Sequence, residues 1–157
     1  MNRKALVLAL SLSIAAAASA SAATAAVGAE FGLNGIGNGL GSSAYISFRL
    51  PKYPVVFGVG GTLSGEASSL ALLADWWLAS GKLVSFLDYY VGPGVFADFG
   101  SYGAYAGLRI PVGVNAFPIK PLELFLEFAP SFTIVTPSAV DFGWSGFQSG
   151  FGFRFWF

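Results

Sequence analysis

The chain has no cysteine and no histidine among its 157 residues, and only 10% of the residues are charged. Without cysteine, no disulfide framework can stabilise an exported form of the protein. Without histidine, the commonest general base and the commonest metal ligand are both missing. Soluble domains carry about 25% charged residues, whereas 55% of this chain is hydrophobic. The composition therefore indicates a membrane environment.

Long apolar runs are also missing beyond the N-terminus. The longest is Leu70 to Ala74, far short of the roughly 20 residues that a membrane-spanning helix needs. Lipid cannot satisfy exposed backbone N–H and C=O groups, so a hydrophobic membrane protein without helical spans must close its strands into a barrel.

The N-terminus has the pattern of a cleaved signal peptide. Asn2-Arg3-Lys4 is basic, Ala5 to Ala18 is apolar, and Ala18-Ser19-Ala20 is an A-x-A cleavage motif. We expect a signal peptide over 1–23, with cleavage between 20 and 26, and a single barrel domain over 24–157. A transmembrane anchor is the alternative, but the apolar stretch is short and rich in alanine. Removal of the segment leaves six basic and eight acidic residues, without a basic patch for nucleic acid.

Apolar and polar residues alternate with a period of two after this segment, which is typical of half-buried strands. Eight such stretches are separated by turn signals, among them Pro51 to Pro54, Ser80-Gly81-Lys82 and Phe117 to Pro121. The sequence thus predicts an all-β fold, a closed antiparallel up-and-down transmembrane β-barrel of about eight strands. The stretches begin near residues 27, 44, 55, 70, 83, 103, 122 and 147.

Three prolines conflict with uninterrupted strands, because a closed barrel has no free edge where a missing N–H is harmless. Gly92-Pro93-Gly94 predicts a bulge or kink, and Pro111 and Pro130 are expected near strand ends.

Every charge within the predicted strands can be placed on one face, while the opposite face is apolar apart from Ser85 and Ser149. A charge facing lipid at mid-membrane costs about 2–4 kcal/mol, so we expect the charged face to line the interior. Eight strands leave an interior just wide enough for side chains. The predicted lumen charge network consists of Glu30, Arg49, Asp75, Asp88, Arg109, Glu123, Glu127 and Arg154.

We expect pairs within this network between Arg109 or Arg154 and Glu123 or Glu127, on neighbouring strands. A packed polar core is the favoured interpretation, and a narrow polar conduit or gate is the alternative. Glu123 and Glu127 as an acid–base pair are disfavoured, because four residues of strand separate them by roughly 13 Å. The stretch from Gly35 to Gly41 is interpreted as a flexible hairpin loop, since no helix or Lys-Ser/Thr follows it to form a phosphate cradle.

The chain ends Phe153-Arg154-Phe155-Trp156-Phe157. This ending resembles the last strand of bacterial outer-membrane barrel proteins, and the architecture is similar to the small eight-stranded barrels of the OmpA and OmpX type. The resemblance implies a bacterial outer-membrane location, contact with outer-membrane lipid, and recognition of Phe153, Phe155 and Phe157 by the barrel-assembly machinery. A monomer is the favoured state.

We expect a structural, envelope or surface-interaction role. A narrow pore or transporter for small or hydrophobic solutes is the second hypothesis. A soluble lipid-binding barrel of lipocalin shape ranks last, because eight strand charges are too few for a water-exposed exterior. We expect no enzyme, cofactor or metal, since barrel enzymes of the omptin and lipid A-modifying types use histidine.

Overall fold

The computed structural model describes residues 25–36, 41–50, 52–64, 67–101 and 103–157. The predicted signal peptide and residues 37–40 of the glycine-rich stretch lie outside the described residues. In the part of the chain that the structure describes, no helix has the length and apolarity that a membrane crossing needs.

Strand segments account for most of the described residues. In chain order they are β1 (Ala26–Ile36), β2 (Gly41–Arg49), β3 (Val55–Ser64), β4 (Ala67–Trp76), β5 (Ala79–Val84), β6 (Leu87–Val91), β7 (Gly94–Gly100), β8 (Gly103–Arg109), β9 (Val112–Ile119), β10 (Leu122–Val135) and β11 (Val140–Trp156).

The segments form a closed antiparallel barrel of eight strands, as predicted from the sequence. Three barrel strands each consist of two segments: β4 with β5, β6 with β7, and β8 with β9. The halves stay aligned because β4 pairs with β7 while β5 pairs with β6. The last segment, β11, pairs with both β10 and β1 and so closes the barrel.

Four prolines lie side by side where the fourth, fifth and sixth barrel strands are interrupted. The Pro54 and Pro93 carbonyls accept hydrogen bonds from the N–H groups of Trp77 (2.7 Å) and Trp76 (2.8 Å). In the same way, the Pro111 carbonyl accepts from Gly92 (3.2 Å) and the Pro130 carbonyl from Ile110 (3.0 Å). We call this row of prolines the proline crease. Bonds on the carbonyl side connect the strands where the proline nitrogens have no proton to donate.

Two of the proline predictions are confirmed and one is wrong. Pro93 separates β6 from β7, and Pro111 separates β8 from β9. Pro130, expected near a strand end, lies inside β10. At this point β10 changes its neighbour from β9, last paired at Phe128, to β8, first paired at Ser131. The proline is tolerated where the ladder on that side is already interrupted.

The predicted turn at Ser80-Gly81-Lys82 is also wrong. The hairpin turn lies at Ser85–Phe86, and the three residues belong to β5, where Lys82 pairs with Asp88. A Cβ atom at position 81 would lie 3.1 Å from the Tyr89 ring on β6, so a larger residue there would require this ring to shift by a few tenths of an ångström. The glycine that predicted a turn instead accommodates a cross-strand tyrosine.

The last strand starts at Val140, earlier than the predicted start near Phe147. A bulge at Ser145 separates the pairs Phe132–Trp144 and Ser131–Gly146. Gly146 has φ +124°, a conformation that side chains rarely adopt. The bulge reverses which residues face outward, so the early part of β11 does not continue the alternation of its end.

The outer surface of the barrel is apolar. Large hydrophobic side chains are exposed on every barrel strand, for example Leu33, Phe57, Leu126 and Phe151. A continuous apolar exterior of this size is atypical of soluble monomers. The buried side chains face the lumen and include most of the charged residues of the strands.

Candidate functional site in the barrel lumen

Two ionic clusters occupy the lumen, and each contains side chains from at least four barrel strands. We name them after their central residues, the Glu123 cluster and the Arg109 cluster. Small groups of buried apolar and aromatic side chains accompany them: Tyr45, Ala71, Leu73 and Phe96 in one, and Val56, Trp77 and Tyr90 in the other.

The Glu123 cluster is built around one fully buried carboxylate. Glu123 Oε1 accepts hydrogen bonds from Arg49 Nη1 (3.2 Å), Arg154 Nη1 (3.3 Å) and Asn115 Nδ2 (3.1 Å). Glu123 Oε2 accepts a fourth bond from Trp156 Nε1, at 2.8 Å. Because the partners lie on β2, β9 and β11, this carboxylate connects β10 across the lumen to the opposite wall.

The two arginines of this cluster also pack on aromatic rings. The Arg154 guanidinium lies 3.8 Å from the Phe125 ring centroid, and its Nε donates to the Ser47 hydroxyl at 2.9 Å. The Arg49 guanidinium lies 3.8 Å from the centroid of Trp77, which stacks on Tyr90 with a centroid separation of 3.7 Å. Cation–π contacts of this kind are strongest when the cation is withdrawn from water.

The Arg109 cluster connects five barrel strands through one guanidinium. Arg109 forms ion pairs with Asp75, at 3.1 Å between Nε and Oδ1, and with Glu127, and its Nη1 donates to Gln148 Oε1 at 2.6 Å. Glu127 Oε2 also accepts a hydrogen bond from the Tyr90 hydroxyl at 2.9 Å. The Arg109–Asp75 contact lacks hydrogen-bond geometry, since both atoms are without a hydrogen-bond partner. It is therefore an electrostatic contact within a site that excludes water.

Six residues of the sequence-predicted network belong to these clusters, and two lie apart from them. Glu30 is buried, yet no residue within the described ranges forms an ion pair with it. Its side chain lies against Gly150, because a Cβ atom added at position 150 would come within 3.0 Å of Glu30 Cδ. Asp88 is partly exposed at one mouth of the barrel, on the same face of the β5–β6 hairpin as Lys82. The six members are Arg49, Asp75, Arg109, Glu123, Glu127 and Arg154.

The predicted charge network left out the uncharged members of the clusters, which are Ser47, Tyr90, Asn115, Gln148 and Trp156. Strand alternation already places each of them on the lumen face. Their side chains carry the donors and acceptors that buried charges require, so a search for inward polar groups beside the charges could have found them.

The paired carboxylates do not form a catalytic dyad. Glu123 and Glu127 lie in different clusters, and each is ion-paired to an arginine. Within the described part of the chain, no group of three or more Asp or Glu side chains is placed to hold a metal ion.

A cavity of about 350 Å³ opens at the mouth of the barrel where residues 25 and 157 lie. We call it the vestibule. Its walls combine aromatic rings with charged and polar groups, among them Arg49, Trp77, Lys82, Asp88, Asn115 and Trp156.

The terminal aromatic residues lie at the closing seam of the barrel. Phe153 and Phe155 face outward from β11, with ring centroids 5.9 Å apart. The Phe157 N–H donates to the Ala25 carbonyl at 2.9 Å, and the Trp156 N–H donates to the Pro121 carbonyl at 3.0 Å. The end of the chain thus hydrogen-bonds to the residues that immediately precede β1 and β10.

The described residues have the architecture of small eight-stranded outer-membrane barrel proteins. Neisserial surface protein A matches with a TM-score of 0.53 and 16% identity, over 85% of this chain and 96% of that chain. The designed protein TMB2.3 gives a TM-score of 0.42, with 14% identity over 84% and 94% of the two chains. OmpT, an outer membrane protein of Vibrio cholerae, gives a TM-score of 0.30, with 13% identity over 88% of this chain and 53% of its own.

The match to the Neisserial protein shows a shared fold. No protein-family model matches the sequence, and no curated protein matches it.

Proposed function

We propose that the chain is an integral protein of the bacterial outer membrane with a lumen closed by its own side chains. In this proposal it has a structural, envelope or surface-interaction role and is neither a pore nor an enzyme. The apolar exterior and the predicted signal peptide support the location. The aromatic ending supports delivery by the barrel-assembly machinery. The mouth beside residue 157 then faces the periplasm.

The observation that carries the closed lumen is the Arg109 cluster. Arg109 is 3% exposed, and its guanidinium contacts side chains from the fourth, seventh and eighth barrel strands. Tyr90 adds the fifth strand through its hydrogen bond to Glu127. An ion crossing the barrel would have to separate these pairs. Removing one partner of a buried ion pair costs about 3–5 kcal/mol.

Current measurements in a planar lipid bilayer test the proposal. We expect the purified full chain to give no steady ion current, whereas Arg109→Ala should leak because it opens space in the lumen. The Arg109 side chain packs closely on Gly94, since a Cβ atom added at position 94 would lie only 2.9 Å from Arg109 Cγ. Frequent openings of uniform conductance in the unchanged protein would overturn the closed lumen in favour of a pore. Gel mobility in mild detergent with and without boiling provides the folding control, because a native barrel shifts on heating.

A further inference from the structure

The vestibule lining includes two charged groups of opposite sign that form no ion pair with any residue the structure describes. Lys82 and Asp88 are register partners on the β5–β6 hairpin, and both line the cavity. No ion pair within 4.0 Å involves either side chain among the described residues. One positive and one negative group are therefore available to a ligand on the same wall.

Arg49, on β2, adds a second cation to the vestibule lining. Arg49 uses Nη1 to bind Glu123, and its side chain keeps 20% exposure. Its Nε and Nη2 have no hydrogen-bond partner among the described residues and are not fully enclosed. Trp77 is 5% exposed, and its indole Nε1–H is buried without a partner. Because this N–H has no accessible surface, Trp77 contributes its ring to the vestibule wall and not a hydrogen-bond donor.

Size and charge limit the kind of ligand. The volume of about 350 Å³ is at the small end of ligand sites, which span about 300–1,000 Å³. A whole lipid or oligosaccharide would extend out of this space through the mouth of the barrel. A simple anion would suit Arg49 and Lys82 but would leave the Asp88 carboxylate unpaired beside it. A molecule with both a carboxylate and an ammonium group satisfies both signs of charge.

We propose that the vestibule is a binding site for small zwitterions of the amino-acid or dipeptide class. The carboxylate binds to Arg49 and Lys82, and the ammonium binds to Asp88. Asn115 and the rings of Trp77 and Trp156 form the floor and walls. The periplasmic position of this site rests on the proposed function, but binding itself does not, because the cavity belongs to the folded barrel in detergent or in lipid.

Tryptophan fluorescence of the purified full chain in detergent measures the binding directly, since two of its four tryptophans line the cavity. The probe is the dipeptide alanyl-alanine, compared with its N-acetyl derivative, which has no ammonium, and its C-terminal amide, which has no carboxylate. We expect a saturable change with alanyl-alanine. Each derivative should bind at least about tenfold more weakly, which corresponds to the loss of one charge-assisted hydrogen bond.

Matched variants assign the charges. Lys82→Gln and Asp88→Asn should each lower the affinity for alanyl-alanine at least about tenfold. Lys120→Gln, in the neighbouring turn, and Asp141→Asn, at the opposite end of the barrel, should bind like the unchanged protein. The heat shift on gels shows that each variant is folded.

Three results would overturn the proposal. The first is the absence of a saturable fluorescence change at alanyl-alanine concentrations up to tens of millimolar. The others are binding of the N-acetyl derivative as tight as that of alanyl-alanine, and a loss of affinity in Lys120→Gln as large as that in Lys82→Gln. All three leave the closed lumen untouched, because the bilayer current tests that separately.

Discussion

At the scale of single residues, the lumen is organised by arginines whose donors are shared among several acceptors. Arginine suits this position because its planar guanidinium carries five N–H donors and stays charged when buried. Arg109 serves two carboxylates and one amide, and Arg154 serves one carboxylate and one hydroxyl. Removing either side chain would leave acceptors that water cannot easily reach.

Arg109→Ala should therefore destabilise the barrel by about 3–5 kcal/mol, because Asp75 and Glu127 are left as buried, unpaired carboxylates. Urea unfolding in lipid vesicles, followed by gel mobility, measures the loss. Lys120→Ala, which removes an exposed cation from a turn, is the matched control and should unfold like the unchanged protein. Equal midpoints for both variants would mean that the Arg109 cluster contributes little to stability.

At the scale of elements, β10 shows most clearly how a strand separates lumen from lipid. Its buried residues Glu123, Phe125, Glu127, Ala129, Ser131 and Thr133 alternate with outward residues. Leu126 is 58% exposed at the middle of this outward row. In water such a row would favour aggregation, but in a bilayer it is the stabilising face.

Leu126→Arg should prevent stable membrane insertion, because a cation at this depth costs about 2–4 kcal/mol. Leu126→Val keeps the position apolar and should assemble normally. The amount of heat-shifting protein in isolated outer membranes distinguishes the two. Wild-type levels of the arginine variant would show that this face does not contact lipid.

The end of β11 is the second element with a specific expectation. Deletion of Phe157 should lower the amount of assembled barrel without changing synthesis or export, because the aromatic ending is the proposed assembly signal. The deletion also removes the N–H that donates to Ala25. Phe57→Ala removes an exposed aromatic side chain from β3 and controls for a general loss of surface aromatics. Normal outer-membrane levels of the shortened chain would argue against the signal.

At the scale of the whole molecule, alternation predicted the number of strands and their closure, because a buried lumen and an apolar exterior impose a period of two. The prediction failed where the period breaks. At Leu78 and Ala79, successive exposed residues follow the inward Trp77, and at Ser145 a bulge reverses the facing residues. Which charge meets which partner could not be predicted across the lumen, since the contact of Arg49 with Glu123 joins strands far apart in the chain.

Closure through β11 completes the lumen contacts as well as the sheet. Arg154, Trp156 and Gln148 all lie on this last strand. Arg154 and Trp156 donate hydrogen bonds to acceptors on the lumen face of earlier strands, and Gln148 accepts a hydrogen bond from Arg109. A sheet of the first seven strands would hold Glu123 without two of its four donors. An intermediate that lacks β11 would therefore leave side-chain acceptors without donors in its interior, as well as unpaired backbone groups at its two sheet edges. Electrostatic compensation and sheet closure arrive together, which makes the final step of assembly cooperative.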